Sequence, residues 1–511
     1  MSSVIETVEA IQNYLPALYF VFSRGRTELL ADELGQEWDF LFPEEKSKVS
    51  ELLEQMEQTS PGMFGGRRRR LRRLLMQGIA YHHAGLAPAL KEVVEKLYEA
   101  RLIFVLFCTE TFAVGINFPA ASTIFDATRK WDGRNHRGLL NREFFQMAGR
   151  AGRRGFDKAG LVYVKIDEKF PEQTGFFDES KVEPVHGRLV ISPNTVLSLL
   201  HWKTPAEIER YLTQNLSVYQ NNHELMALAG ELKILEEKIF ILRKSFCPDK
   251  DSSVCPMQRD ELKKELNRLR NRKRRHKPDT QGRITEIKNL LTIPGKKCMP
   301  ANCRDAHDEI TALVERRKEL VRRNRQLKKN AVDYRREFKR MCDLLEMLGY
   351  IKGKILLPRG LFALHIHVQE IMVTELVFSG ILREAEPAEA AAILAGVDYE
   401  AGRDEIVTVG EYNLDSAAIL HNDLLAAGVP ENLCLWSPLP GPLAENWYKG
   451  AEFEELQKRC NLHEGDIFSI LRREIDVLRQ IERAAGEDSS LRQAMHDLKS
   501  ALDRDEVAVM I

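Results

Sequence analysis

The chain has 511 residues, 44% of them hydrophobic and 30% charged, with a formal net charge of -1. That length exceeds one ordinary core, so about two to four domains are expected; no apolar run approaches the roughly 18 residues of a membrane span, and the opening "MSSVIETVEAIQNYLP" lacks the basic flank and apolar stretch of a signal peptide. The near-zero net charge hides segregated blocks of opposite sign, and in what reads as a cytoplasmic chain the eight cysteines point to free thiols or metal ligands before disulfides.

"PALYFVF" (16–22) is a short aromatic and β-branched run that predicts a buried strand, followed by a helix from about Thr27 to Leu34. Near-continuous apolar runs return at "LIFVLFCT" (102–109) and "LVYVKID" (161–167), separated by helical stretches. Strands buried on both faces and alternating with helices indicate a parallel α/β sheet, here over residues 1–175. Between them "FGGRRRRLRR" (64–73) is either a solvated helix or loop face or a phosphate-binding patch.

From about residue 185 the pattern turns helical. In "KTPAEIERYL", Thr204, Pro205 and Glu207 carry the chemistry of a helix start, which predicts a helix over 205–213. Leu225, Leu228, Leu232, Leu235, Ile239, Leu242 and Phe246 then recur at steps of three and four, the seam of a coiled coil. A second long helix, 304–348, carries Ile310, Leu313, Leu320, Leu327, Tyr334, Phe338, Met341 and Leu345, and the two seams are expected to pack antiparallel. Between them lie a basic helix, "ELNRLRNRKRRHK", a shorter helix near 283–292, and two cysteine pairs, Cys247/Cys255 and Cys298/Cys303. If the middle segment doubles back, four thiolates meet; zinc, an iron–sulfur cluster and unligated thiols all remain open, because both spacings are looser than the usual C-x2-C knuckle. Cys108, Cys342, Cys434 and Cys460 read as core residues. Past Gly349 the chain reads as short hairpin elements and then helices, the clearest at 463–485, where Ile467, Ile470, Leu471, Ile475, Leu478 and Ile481 form one stripe with Arg472, Arg473 and Arg479 outside it.

The stretch that carries chemistry is "QMAGRAGRRG" (146–155). Arg150 and Arg153 offer forked donors of fixed charge that match phosphate oxygens, and Gly149, Gly152 and Gly155 let the backbone come close. Taken alone, the same arginines could instead pair with carboxylates at a helix end.

In their order the motifs resemble the superkiller-type (exosome-associated) DExH-box RNA helicases of superfamily two. "YFVFSR" (19–24) is similar to helicase motif IV, "GIAYHHAGL" (78–86) to the element after it, "TETFAVGINFPA" (109–120) to motif V and "QMAGRAGRRG" to motif VI, with the family's strand-separating hairpin at 128–145. The resemblance implies a second RecA-like domain (1–175), a winged-helix-like region (176–222), an antiparallel coiled-coil insert (223–345) where eukaryotic members carry an arch that it does not resemble, and a helical, ratchet-like C-terminal domain (346–511). It further implies that Arg150 and Arg153 reach the ATP γ-phosphate while Gln146 places the attacking water, and that Gly115 and Asn117 lie near the nucleotide or at the seam between domains. Ser23, Arg24, Thr109, Thr111, Arg472 and Arg473 would grip single-stranded RNA or DNA. Arginine fingers are worth ~10³ to 10⁵ in rate, roughly 4 to 7 kcal/mol of barrier.

One departure matters. The sequence has no G-x-x-x-x-G-K-[ST] and no DExH tetrad, so the phosphate cradle and the magnesium-binding carboxylate of an ATP site are absent from it. The expectation is half an active site, shared with a first RecA-like domain that is separately encoded or missing, and no ATPase activity from this chain alone. The alternative is a non-catalytic nucleic-acid-binding or assembly subunit, motivated by "RRRRLRR" and "RLRNRKRRHK"; in a third reading the cysteine-bearing coiled coil is a protein-docking arm.

Overall fold

The computed structural model describes residues 3–59, 62–113, 119–132, 135–153, 155, 157–166, 179–245, 256–271, 278–293 and 301–508. The chain divides into two compact units, one made of Met1–Val185, Ile191–Thr204 and Phe338–Ile511, the other of His186–Val190 and Pro205–Glu337.

The first unit opens with α1 (Val4–Ala10), whose start is closed by a reciprocal Ser3–Glu6 capping box. Its sheet contains β1 (Ala17–Phe20), β2 (Ile79–His82), β3 (Val105–Cys108), β4 (Ser122–Phe125) and β7 (Leu161–Val164), ordered β2-β3-β1-β4-β7 and parallel throughout. Helices α2 (Arg24–Glu37), α3 (Pro43–Thr59), α4 (Arg69–Leu75), α5 (Pro88–Glu99) and α6 (Asn141–Ala148) fill the connections, and a two-stranded hairpin, β5 (Arg129–Trp131) with β6 (His136–Gly138), leaves the sheet after β4. All residues of β1 to β4 are buried, as strands covered on both faces must be. The expected runs became β1, β3 and β7, but β7 is not buried on both faces: it is the edge strand of the sheet and is partly exposed, with Val162 open to solvent. The sequence reading did not pick out β2 and β4, which are four residues each and spend part of that length on His82, Ser122 and Thr123.

After α7 (Pro193–Trp202), capped by Ser192, the chain enters the second unit: α8 (Pro205–Thr213), α9 (Leu216–Ser245), α10 (Pro256–Asn271), α11 (Pro278–Thr292), α12 (Ala301–Asn330) and the first turn of α13 (Tyr334–Met347). Helices α9 and α12 run antiparallel, since Glu224 pairs with Arg323 (2.6 Å), Glu231 with Arg316 (3.1 Å) and Lys238 with Glu309 (2.9 Å). Leu228 and Ile239 of the first apolar seam and Ile310 and Leu320 of the second are buried. The single helix expected over 304–348 is instead two helices broken at 331–333, because Asp333 starts a new one: its carboxylate accepts the Arg336 amide at 3.2 Å and its carbonyl the Glu337 amide at 3.0 Å. The proposed metal ligands Cys247, Cys255 and Cys298 lie outside the described residues, as does the side chain of Cys303 at the start of α12.

Back in the first unit, β8 (Ile351–Lys352) and β9 (Ile355–Leu356) form a small hairpin, and β9 together with α14 (Pro358–Ala363) packs on α7. The C-terminal helices are α15 (Glu370–Phe378), α16 (Ile381–Glu384), α17 (Pro387–Ala395), α18 (Asp415–Ala426), α19 (Gly441–Tyr448), α20 (Phe453–Lys458), α21 (Glu464–Ala484) and α22 (Ser489–Leu502). The alanines of α17 are buried and let α19 come close, with the Ala392 carbonyl 2.9 Å from where a Gly441 Cβ would stand. Every residue of the stripe read for 463–485 is buried on α21. Cys108 and Cys434 are buried, Cys342 and Cys460 half-buried, and all four are free thiols. Among the described residues no helix is long and apolar enough to cross a membrane, and no three His, Cys, Asp or Glu side chains group as metal ligands.

Candidate functional site

The arginine–glycine stretch is a loop following α6. Its backbone is pinned by a reciprocal pair of hydrogen bonds, the Ala120 amide to the Arg150 carbonyl (2.9 Å) and the Gly152 amide to the Ala120 carbonyl (2.8 Å). Ala120 lies two residues ahead of β4, so the loop sits at the amino edge of the parallel sheet. Two glycines are required by this path. Gly152 has φ +92°, and a Cβ on Gly160 would stand 2.4 Å from the Ala151 carbonyl carbon. Gln146 is exposed on the last turn of α6 and Arg150 is half-buried. Arg153 is held by Asp157, which accepts its backbone amide and Nε at 2.8 Å and its Nη2 at 2.9 Å. That contact keeps the Asp157 carboxyl at about 2, below the usual carboxylate range. Gly115 and Asn117 lie outside the described residues.

The expected nucleic-acid residues gather at the opposite, carboxyl edge. Ser23 is exposed at the end of the β1 connection and Arg24 starts α2. Thr109 follows β3, and its hydroxyl meets that of Thr111 at 2.9 Å. Arg24 reaches across to α21, where its Nη1 donates to both Asp466 oxygens (2.8 and 2.7 Å). Arg472 lies over the Phe468 ring and donates to the Val507 carbonyl at 3.3 Å. Arg473 stacks 5.9 Å from Tyr399; burial lowers its pKa, and its Nη2 is buried without a hydrogen-bond partner among the described residues. One further basic residue joins this set. Lys91 of α5 is held below the usual lysine range by burial and by the charges of Arg24 and Arg472, against Glu95 and Asp466. Its only sequence signal was a lysine one turn into the helix after "HHAGL". Helix α5 therefore joins the two edges: Lys91 is at the carboxyl side, while Tyr98, whose hydroxyl donates to the Pro119 carbonyl at 3.5 Å, is at the arginine-loop side.

Residues 44–155 match the helicase conserved C-terminal domain, and residues 353–509 match the DSHCT (NUC185) domain. The human exosome RNA helicase MTR4 is 33% identical over 310 residues, 56% of this chain and 28% of that protein. The Arabidopsis thaliana DExH-box ATP-dependent RNA helicase DExH10 is 34% identical over 256 residues (48% and 25%), and mouse superkiller complex protein 2 is 43% identical over 164 residues (31% and 13%). Together these matches make the chain similar to the superkiller-type DExH-box helicases of superfamily two. It corresponds to their C-terminal part, and the matched stretch amounts to about a quarter of the length of the first two relatives.

The two domains matched in these helicases are joined here through α21. The Gly465 amide donates to the Gly85 carbonyl at 3.0 Å, and a Cβ on Gly465 would stand 2.2 Å from the Ala84 carbonyl oxygen, so backbone packs directly on backbone. Next to it the Arg68 Nε donates to both Glu464 oxygens (2.9 and 2.8 Å), with side chains only 8% and 17% exposed. Arg68 belongs to the basic block at 64–73, and so do Arg70, which pairs with Asp32 and donates to the Glu28 carbonyl (3.1 Å), and Arg73, which pairs with Asp32 (2.9 Å). Much of this block is therefore an internal brace. A second brace missed in the sequence is Asp126, buried after β4 and bonded to Arg26 (2.6 Å), Lys165 (3.3 Å) and the Tyr19 hydroxyl (3.3 Å).

Proposed function

We propose that this chain supplies the second RecA-like half and the strand-gripping helical domain of an ATP-dependent RNA helicase. Arg150 and Arg153 would stabilise charge on the γ-phosphate and Gln146 would orient water, facing a nucleotide held by a first RecA-like domain, whether that domain lies in a longer chain or in a separate polypeptide. The observation that carries this reading is the separation of two chemistries across one rigid sheet: a glycine-shaped arginine loop at the amino edge, and hydroxyls with Arg24, Lys91 and Arg472 at the carboxyl edge. The donors at 146–153 fit the outer phosphates of ATP, and the magnesium ligands and phosphate cradle would come from the opposite domain. ATP with magnesium would supply the phosphoryl chemistry; this chain's residues bind, orient and screen charge.

The finer architecture belongs to the same reading. In this reading α7, with β9 and α14 packed on it, belongs to the winged-helix-like region, and the α9–α12 pair is the antiparallel coiled-coil insert. In the same reading the β5–β6 hairpin, with Trp131 54% exposed, would part paired strands. A zinc held by Cys247, Cys255, Cys298 and Cys303 remains a proposal for metal analysis of the purified chain.

The test is complementation. The chain mixed with a cognate first RecA-like domain should gain RNA-stimulated ATP turnover that falls ~10³-fold or more in the Arg150→Ala, Arg153→Ala variant. Turnover that survives both substitutions overturns the assignment. One observation favours the competing reading of a nucleic-acid-binding or assembly subunit without catalysis: Arg153 is engaged by Asp157. RNA affinity indifferent to nucleotide and to Arg150, in the presence of the cognate domain, would decide for it.

A further inference from the structure

Away from both edges, the hairpin of α21 and α22 encloses a groove of about 460 Å³ lined by Arg479, Glu482, Arg483, Arg492 and Lys499. Four cations thus meet one carboxylate, and that carboxylate is already engaged by Lys499 (2.6 Å) and His496 (3.0 Å). Arg479 is paired with Asp503 at 3.2 Å. Arg483 and Arg492 are exposed and have no carboxylate within 4.0 Å among the described residues. Two guanidiniums without a carboxylate partner, one from each helix of the groove, repel each other, and the arrangement becomes favourable when an anion with several oxygens lies between them.

The groove continues the Arg472 face of α21. Arg472, Arg479 and Arg483 are spaced seven and four residues apart on α21, which puts them on one stripe of the helix. At 1.5 Å per residue the stripe runs ~16 Å from Arg472 to the groove, bordered by the segment after α22 through Asp503 and Val507. Arg472 is at the Arg24–Lys91 cluster where the strand is gripped. We propose that the α21–α22 groove holds backbone phosphates of the single strand beyond that cluster, so that Arg483 and Arg492 lengthen the bound stretch without reading bases. This rests on the nucleic-acid reading above and adds a second binding zone to it.

The experiment uses the full chain and fluorescently labelled oligouridylates of about 6 and about 20 nucleotides, chosen to lie within and beyond a single short site. The Arg483→Ala, Arg492→Ala variant is expected to bind the long strand about tenfold more weakly at low salt. The slope of log affinity against log salt should fall by about 1.4, or about 0.7 for each backbone phosphate no longer neutralised. Binding of the short strand should not change, and both side chains are exposed, so an unaltered melting curve certifies the variant. If the long strand binds the variant as it binds the parent while Lys91→Ala still weakens both strands, the groove is off the path; the helicase reading survives and this proposal falls. If neither strand binds the parent chain, both fall. If a poly-glutamate peptide binds the parent but not the variant while the long strand is unaffected, the groove docks an acidic protein segment and the proposal is overturned.

Discussion

Residues 64–73 and 146–155 both set several arginines beside glycines, and as sequences they make the same offer to a phosphate. In the structure they differ. The consecutive arginines of the first stretch wind through a short helical turn into α4, so their side chains leave in several directions and meet acids from α2 and α21. In the second, the helix ends at the glycines, and Arg150 and Arg153 hang on a loop tied by backbone to Ala120, two residues before β4. The number of arginines is not what separates a brace from a ligand site. What separates them is whether the backbone between the arginines can be helical, and how many carboxylates lie within reach of it.

This comparison can be broken at several points. The largest effect is expected from Arg150→Ala: about a thousandfold or greater loss of complemented ATP turnover with the melting temperature nearly unchanged, measured by steady-state hydrolysis beside calorimetry. Arg68→Ala should do the reverse. It strands the partly buried Glu464 and costs about 2 to 3 kcal/mol of folding stability in denaturant titration, leaving short-strand affinity close to the parent value. An Arg68 variant as stable as the parent would mean that the 64–73 arginines are not a brace. Asp157→Asn sharpens it further: if Asp157 only parks Arg153, complemented turnover stays within about threefold, whereas a loss matching Arg153→Ala would make the pair itself the functional unit. Arg73→Ala, at a half-exposed pair, should cost roughly 0.2 to 1 kcal/mol.

The smallest effect concerns pH. Burial would raise the Glu143 carboxyl, but the Arg137 guanidinium, the Leu140 amide and Lys130 together hold it at about 2. A carboxylate lowered on folding contributes stability that is complete above its ordinary value near 4.5 and fades as pH falls towards about 2. Arg137 and Lys130 belong to β6 and β5, so emission from a Trp131-only variant should report hairpin loosening over that window, and Glu143→Gln should abolish the pH dependence.

Much of the first unit was legible from residues alone, because strands buried on both faces leave unbroken apolar runs and an amphipathic helix such as α21 repeats its apolar positions regularly. The arginine loop was legible because its glycines mark a path that other residues resist. What escaped depended on partners distant in sequence. Nothing near Arg24 announces Asp466, more than 400 residues later, or near Arg68 its Glu464, and nothing near Lys91 says that Arg24 and Arg472 will crowd its charge. The break at 331–333 was missed for a different reason: the apolar spacing runs on across it, and only the capping habit of Asp333 marks it.

The chain leaves the first unit after Thr204 and re-enters it at Phe338, yet α7 on one side of that excursion packs against β9 and α14 on the other. The core of that unit is therefore completed by segments that meet without the intervening 133 residues between them. In this sense the helical arm is a graft more than a link: the packing of α7 on β9 and α14 is made by residues on either side of it and not by the arm itself.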